Sequence, residues 1–87
     1  MRVDWNEDKR QVNLHKHGFD FRDAEKVFAG RTVTIEDMRY EYGEARFITL
    51  GLLRDTVVVI VHTEEINRIR VISMRKANKH EEQSYFE

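Results

Sequence analysis

The chain has 87 residues, a formal net charge of −1 at pH 7 and no cysteine. A length of this order supports one small core, so we expect a single domain over residues 1–87. The lack of cysteine excludes disulfides, thiolate nucleophiles and thiolate metal sites. No secretory leader opens the chain, and the longest apolar run is too short to cross a bilayer, so we expect a soluble cytoplasmic protein with no membrane partner.

The first third of the chain predicts one short strand and two helices. Residues 1–5 alternate apolar and polar side chains, as strands do. Asn6 has the side chain of a helix N-cap and Gly18 suits the left-handed position after a helix, so the first helix spans about residues 7–17. An apolar stripe at helical spacing predicts a second helix over about residues 21–29.

The first predicted helix has a thin apolar face, made by Val12 with help from Leu14. We therefore expect the helix to be held by docking on the remainder of the protein and by Trp5 beside its start. The polar side chains left for solvent or ligand are Lys9, Arg10, Asn13 and Lys16.

The remainder of the chain predicts strands and a closing helix. Strand patterns occur at residues 33–36 and 46–52, and five β-branched residues at 57–61 favour a strand covered on both faces. A short polar turn connects this strand to residues 68–76 as an antiparallel hairpin, and a last helix follows at 79–87. The order indicates an α+β fold with an antiparallel sheet of about four strands, two N-terminal helices and a C-terminal helix.

The second strand of the hairpin carries the clearest functional signal. Arg68 and Arg70 alternate with Ile69 and Val71, so both arginines point to one face. Guanidinium groups suit bidentate phosphate recognition, although a solvated face paired with nearby glutamates is the ordinary alternative. The cationic residues of this segment, which contains no acid, are Arg68, Arg70, Arg75, Lys76 and Lys79.

The four histidines do not suggest a metal site. His15 and His17 lie about 200° apart around a helix and cannot share one ion. His62 and Glu64 share a strand face, but the similar pair of zinc deaminases needs two cysteines, which this chain lacks. We therefore expect neither a metal nor another cofactor.

Arginine, lysine, histidine and glutamate suffice, without a metal, to cleave RNA through its own 2′-hydroxyl. A base removes the hydroxyl proton, cations stabilise the phosphorane, and an acid protonates the leaving 5′-oxygen. Proton-transfer candidates that an antiparallel arrangement could bring to one face are Lys9, His62, Glu64, His80 and Tyr85.

Several strings along nearly the whole chain occur together, in order, in one protein family. They are Asp4-Trp5 with Lys9 and Asn13, Lys16-His17-Gly18, Gly43-Glu44 with Arg46-Phe47, His62-Thr63-Glu64, Arg68-Ile69-Arg70-Val71-Ile72-Ser73 and Arg75-Lys76-Ala77. On these residues the chain resembles the BrnT-type toxins of bacterial type II toxin–antitoxin modules. The resemblance implies a RelE-like fold and a ribonuclease that inhibits translation. It also implies neutralisation by a BrnA-type antitoxin with a ribbon-helix-helix domain, so that DNA is contacted only through the antitoxin.

The resemblance further implies roles for individual residues. Arg70 and Arg75 would hold the phosphate and the transition state, Glu64 or His62 would be the base, and Lys9 would contact the substrate or the leaving group. Residues expected to bind substrate around them are Arg68, Lys76, Lys16, Lys79 and His80. The alternative hypothesis is a non-catalytic module that binds protein or RNA through the same basic strand. The slightly acidic charge departs from the basic charge expected of such a ribonuclease.

Overall fold

The computed structural model describes residues 1–87 and contains one five-stranded sheet in the order β1-β5-β4-β3-β2. The strands are β1 (Arg2–Trp5), β2 (Thr32–Glu36), β3 (Phe47–Leu53), β4 (Thr56–Glu65) and β5 (Arg68–Lys76). The helices are α1 (Glu7–His17), α2 (Ala24–Ala29) and α3 (Lys79–Phe86). None of these helices is long and apolar enough to cross a membrane.

The α+β class is confirmed, but the sheet differs from the predicted one. It has five strands, and β1 runs parallel to β5, with Val3 opposite Ile69. All other neighbouring strands are antiparallel. The expectation of about four antiparallel strands was therefore wrong. The pairing of β1 with β5 joins the two ends of the chain, and strand alternation carries no information about a partner so distant in sequence.

Local capping explains the helix boundaries. The Asn6 side chain accepts a hydrogen bond from the Lys9 amide at 3.1 Å, and Gly18 takes a left-handed φ of 77°, so α1 has the predicted limits. The second helix begins later than predicted, because Phe21–Asp23 forms a 3-10 turn. The Asp20 side chain accepts from the Arg22 amide at 2.9 Å and holds this tighter turn.

The core has one apolar cluster on each face of the sheet. Val58 and Ile60 of β4 pack on the side of α2, which we call the α2 face. Val57 and Val59 pack on the other side with Tyr85 of α3, which we call the α3 face. The prediction that this part of β4 is covered on both faces is confirmed.

A side-chain amide joins α1 to the edge of β5. Asn13 Nδ2 donates to the Met74 carbonyl at 2.8 Å, and Asn13 Oδ1 accepts from the Met74 amide at 3.1 Å. Asn13 also donates to the Phe19 carbonyl at 3.2 Å. Because β1 ends at Trp5, opposite Val71, the amide pairs with backbone groups of β5 that β1 does not reach.

The predicted docking face of α1 was wrong. Val12 and Leu14 are 66% and 38% exposed, whereas Asn13 and Arg10, expected to be accessible, are buried. Arg10 donates to Glu7 and to Asp20 and so ties α1 to the start of the following turn. Hydrogen bonds from Arg10 lower the pKa of Glu7 from 4.5 to about 2. The helix is thus held by polar contacts, which an apolar pattern cannot predict.

Candidate active site

Arg70 and Arg75 lie on the same face of β5, the α3 face. Arg70 is opposite Thr63 of β4, and Arg75 is opposite Val59. Val59 packs in the α3-face cluster, and Thr63 lies an even number of positions farther along the same strand. Both predicted phosphate-binding arginines are therefore on the side of the sheet that α3 only partly covers.

A β-bulge at Ile72 makes this common orientation possible. Arg70 and Arg75 are an odd number of positions apart, so a regular strand would direct them to opposite faces. The register between β4 and β5 shifts between Val61 and His62, which leaves Ile72 without a partner on β4. The extra residue reverses the alternation, as bulges beside functional sites often do.

Arg70 shares a carboxylate with a second arginine. Arg70 Nη2 lies 2.8 Å from Glu44 Oε2, and Arg46 Nη2 lies 3.9 Å from the same oxygen. The Arg46 guanidinium stacks on the Tyr42 ring at 4.1 Å, and its buried Nε has no hydrogen-bond partner. Glu44 therefore occupies the position that a bound anion would take between two guanidinium groups.

The two arginines line a small cavity at the start of α1. Its volume is about 170 Å³ and its lining is Asn6, Lys9, Arg46, Arg70, Val71 and Ile72. The Lys9 ammonium has no salt-bridge partner. The first turn of α1 adds the positive end of a helix dipole. Three cations with one nearby carboxylate make this cavity a candidate anion site.

Arg75 is engaged separately, by the first turn of α3. Its Nη1 and Nη2 donate to the two oxygens of Glu81, each at 2.9 Å. Glu81 also accepts from the Asn78 amide at 2.9 Å and so closes the capping box of α3. Hydrogen bonds from Arg75 lower the pKa of Glu81, which keeps this carboxylate charged. Arg75 thus provides a second cation on the face, outside the cavity.

His62 and Glu64 lie on the other face of the sheet. The His62 side chain is fully buried beside Phe28, with its Nε2 2.6 Å from Thr49 Oγ1. Its Nδ1 makes no hydrogen bond and lies 3.7 Å from Glu64 Oε2. Glu64 is opposite Ile69, again on the α2 face. The expectation that these two proton-transfer groups share a face with Arg70 was wrong, because the alternation along β4 turns them away.

The other proton-transfer candidates are also apart from the cavity. Tyr85 is buried in the α3-face cluster and donates to the Arg31 carbonyl at 2.8 Å. His80 and Lys79 are exposed in the first turn of α3, and Lys76 is exposed at the end of β5. Of the predicted proton-transfer groups, Lys9 alone lines the cavity with Arg70.

The remaining two predicted substrate contacts, Arg68 and Lys16, lie outside the cavity. Arg68 pairs with Glu65 and lies 3.8 Å from Asp4, at the far end of β5. Lys16 lines a shallow groove of about 320 Å³ with Lys9 and Ser73. Lys16 therefore continues the cationic surface along α1, whereas Arg68 is held by acidic neighbours.

Glu44 and Arg46 had no predicted role. Both belong to segments that resemble the family, but neither lies near the basic strand in sequence. Gly43, with φ of 76°, provides the turn that precedes Glu44. The sequence offered one sign of a role for Arg46, its position directly before β3. Only the pairing of β3, β4 and β5 shows that Arg46 lies near Arg70. No three histidine, aspartate or glutamate side chains are placed to hold a metal ion.

The buried imidazole predicts a pH-dependent stability. Burial lowers the pKa of His62 below its ordinary 6.5, despite the opposing charge of Glu64. The unfolded chain then binds more protons, so stability is complete above about pH 6.5 and falls as the pH drops towards the folded-state pKa. Between pH 7.5 and pH 5.5 we therefore expect the free energy of unfolding to decrease.

Urea denaturation at the two pH values measures this loss. The variant His62→Gln keeps a polar side chain but cannot titrate, so its two denaturation midpoints should lie closer together than those of the wild type. The exposed His15, His17 and His80 are common to both proteins and cancel in the comparison. An equal pH dependence in the two proteins would contradict the assignment to His62.

The fold and the α3 face define a small α+β protein with a candidate anion-binding cavity on one side of its sheet. A family model described as "Ribonuclease toxin, BrnT, of type II toxin-antitoxin system" matches residues 5–81. The chain belongs to this BrnT family of ribonuclease toxins, and the predicted resemblance is confirmed. Membership of a type II system implies an antitoxin partner. No curated protein matches the chain significantly.

Proposed function

We propose that this chain cleaves single-stranded RNA without a metal ion, at the cavity lined by Lys9, Arg46 and Arg70. The observation that carries the proposal is the convergence of three cations from α1, β5 and the start of β3 on one small cavity. These parts of the chain are far apart in sequence. The alternative, a basic face that is merely solvated, does not require their cations to lie together. The activity of the family supports the same function.

The proposed reaction is attack by the 2′-oxygen on the adjacent phosphorus. The bond between phosphorus and the 5′-oxygen breaks, giving a 2′,3′-cyclic phosphate and a free 5′-hydroxyl. Arg70 and Arg46 bind the non-bridging oxygens and stabilise the added charge of the phosphorane. The Lys9 ammonium, which has no competing carboxylate, gives its proton to the leaving 5′-oxygen.

Glu44 is our proposed proton acceptor for the 2′-hydroxyl. A phosphate that binds Arg70 replaces this carboxylate, which is then free beside the substrate. We do not propose His62 or Glu64 as the base, because both lie on the α2 face. A reaction at the cavity would require either group to act through the sheet.

We propose that Arg75 binds a neighbouring phosphate. The rise of a strand separates the backbones of Arg70 and Arg75 by roughly 15 Å, and each arginine holds a different glutamate. The two arginines therefore suit successive positions of an RNA chain better than one phosphate. Exposed cations that would extend the path are Lys16, Lys79 and His80, whereas Lys76 is opposite Val58 on the α2 face.

We further propose that cleavage inhibits translation in the cytoplasm and that a BrnA-type antitoxin with a ribbon-helix-helix domain neutralises the chain. DNA would be contacted only by that partner. Family membership supports this part of the proposal. The five-stranded sheet with α3 packed on one face supports a relation to the RelE-like fold.

The test is a cleavage assay of the purified chain in EDTA. We expect a labelled RNA to be cut to products ending in 2′,3′-cyclic phosphate, and an otherwise identical strand with 2′-deoxyribose throughout to stay intact. The assay is run on free RNA and on messenger RNA under translation in a cell extract, so that a need for the ribosome does not hide the activity.

Two results would contradict the proposal. Cleavage that EDTA abolishes would require a metal ion, and cleavage of the deoxyribose strand would exclude the 2′-hydroxyl as nucleophile. Binding of RNA without cleavage in either setting would favour the non-catalytic binding module.

A further inference from the structure

The loop between β2 and β3, residues 37–46, carries an exposed aromatic ring and also supplies Arg46 to the cavity lined by Lys9 and Arg70. The Tyr40 side chain is 69% exposed, and Met38, two positions before it, is also exposed. The same loop contains Glu44, which contacts Arg70. Packing does not explain the exposed Tyr40 ring, because Tyr40 belongs to neither apolar cluster.

A buried carboxylate fixes the shape of this loop. Asp37 accepts hydrogen bonds from the Arg39 amide at 3.2 Å, from Arg39 Nε at 2.8 Å and from the Tyr42 hydroxyl at 3.0 Å. The Asp37 amide donates to the Arg46 carbonyl at 2.7 Å. These bonds hold the pKa of Asp37 well below its usual range. The loop therefore holds Tyr40 outward by its own hydrogen bonds.

A row of aromatic and cationic groups connects Tyr40 with the cavity. The Tyr40 and Tyr42 rings meet edge to face at 5.9 Å, and Arg46 stacks on Tyr42 at 4.1 Å. Arg46 then reaches the carboxylate that Arg70 holds. From the surface inward, the row consists of the Tyr40 ring, the Tyr42 ring, the Arg46 guanidinium and the proposed phosphate site at Arg70.

The loop also encloses a hollow large enough for a nucleobase. Its volume is about 510 Å³, and residues 36–45 line it. Arg39, which pairs with Asp37, lies over the Tyr40 ring at 5.9 Å, and Arg46 stacks on Tyr42 beside the hollow. The lining also contains the acidic residues Glu36, Asp37, Glu41 and Glu44. Interleaved aromatic and basic side chains are typical of surfaces that stack the bases of single-stranded nucleic acid.

We propose that Tyr40 is a stacking platform for a base of single-stranded RNA next to the phosphate held at Arg70. This subsite rests on the proposed ribonuclease function, whose substrate it would help to position. Stacking on the exposed ring uses the π-face that every base has, so it contributes affinity with little sequence preference. A protein partner could also use an exposed tyrosine and methionine, but the row of rings that leads through Arg46 to the carboxylate held by Arg70 favours RNA.

Binding of an uncleavable ligand tests the subsite separately from catalysis. The probe is a fluorescent 2′-O-methyl RNA octamer, which has bases and phosphates but no free 2′-hydroxyl, and its abasic counterpart lacks only the bases. We expect Tyr40→Ala to weaken anisotropy-detected binding of the base-bearing octamer roughly 5- to 100-fold. Binding of the abasic octamer should not change, and Tyr40→Trp should retain the binding of both.

Phe86→Ala is the matched control, because it removes another exposed aromatic ring, at the far end of α3. Its binding of both octamers should equal that of the wild type. Equal weakening of both octamers by Tyr40→Ala, or no weakening, would overturn the stacking platform. Normal octamer binding combined with lost antitoxin binding would assign the ring to a protein interface and also overturn it. A chain that never cleaves RNA, but loses base-dependent binding with Tyr40→Ala, would refute the nuclease and retain the subsite.

Discussion

Arg70→Ala is expected to lower kcat/KM for RNA cleavage by about 10² to 10³-fold, by analogy with the loss of one oxyanion donor. The reason is its position: Arg70 lines the cavity and holds Glu44 where we propose the scissile phosphate binds. The Arg70 guanidinium stabilises the negative charge of the phosphorane more strongly than that of the bound substrate, so its loss raises the barrier to cleavage. Initial rates on a labelled RNA measure the effect.

Arg68→Ala is the matched control for this prediction. Arg68 lies two positions away on the same strand, also pairs with a glutamate, and loses the same charge on substitution. Arg68 does not line the cavity, so the variant should change kcat/KM by less than about 3-fold, as expected for a screened surface charge. Equal losses in the two variants would indicate general attraction of RNA. Full activity of a folded Arg70→Ala protein would contradict the cavity as the active site.

Asn13→Ala is expected to lower the free energy of unfolding by about 3 kcal/mol, because it leaves the buried amide and carbonyl of Met74 without partners. It also removes the bond to the Phe19 carbonyl and so loosens α1 at the edge of β5. Urea denaturation followed by circular dichroism measures the change. Asn13→Ala should also lower the rate of RNA cleavage, by less than Arg70→Ala does, because α1 positions Lys9 at the cavity.

Val12→Ala is the control on the same helix. The sequence pattern made Val12 the main docking residue, whereas the structure leaves its side chain 66% exposed. Substitution of an exposed residue usually changes the free energy of unfolding by less than about 0.5 kcal/mol. If Val12→Ala lowers the free energy of unfolding as much as Asn13→Ala does, then α1 docks through its apolar side chains.

The sequence predicted the elements whose causes are local. The limits of α1 follow from Asn6 and Gly18, which act on backbone groups within one turn. The hairpin of β4 and β5 follows from two apolar runs around a short turn, and its members pair as predicted. Family membership was also readable, because the matching strings run along nearly the whole chain and the family model covers residues 5–81.

Side-chain partners were less predictable than elements. In sequence, Asn13 and Arg10 look like solvent-facing residues of a helix. Both are buried because they hydrogen-bond to Met74 and Asp20, and hydrophobic periodicity does not predict such polar partners. His62 was recognisable as part of a matched string, but its face depends on the alternation along β4. The packing of Phe28 and Phe47 around it shows that this face is core.

By itself, the sequence determined where the chain forms helices and strands, that β5 carries arginines, and to which family the chain belongs. Only the tertiary structure decided that β1 pairs in parallel with β5 and that the bulge at Ile72 turns Arg70 and Arg75 to one face. Only the tertiary structure also brought Lys9 and Arg46 to the same cavity. The physical reason is range: caps and periodicity act within a few residues, whereas strand register and side-chain convergence depend on pairing between segments far apart in the chain.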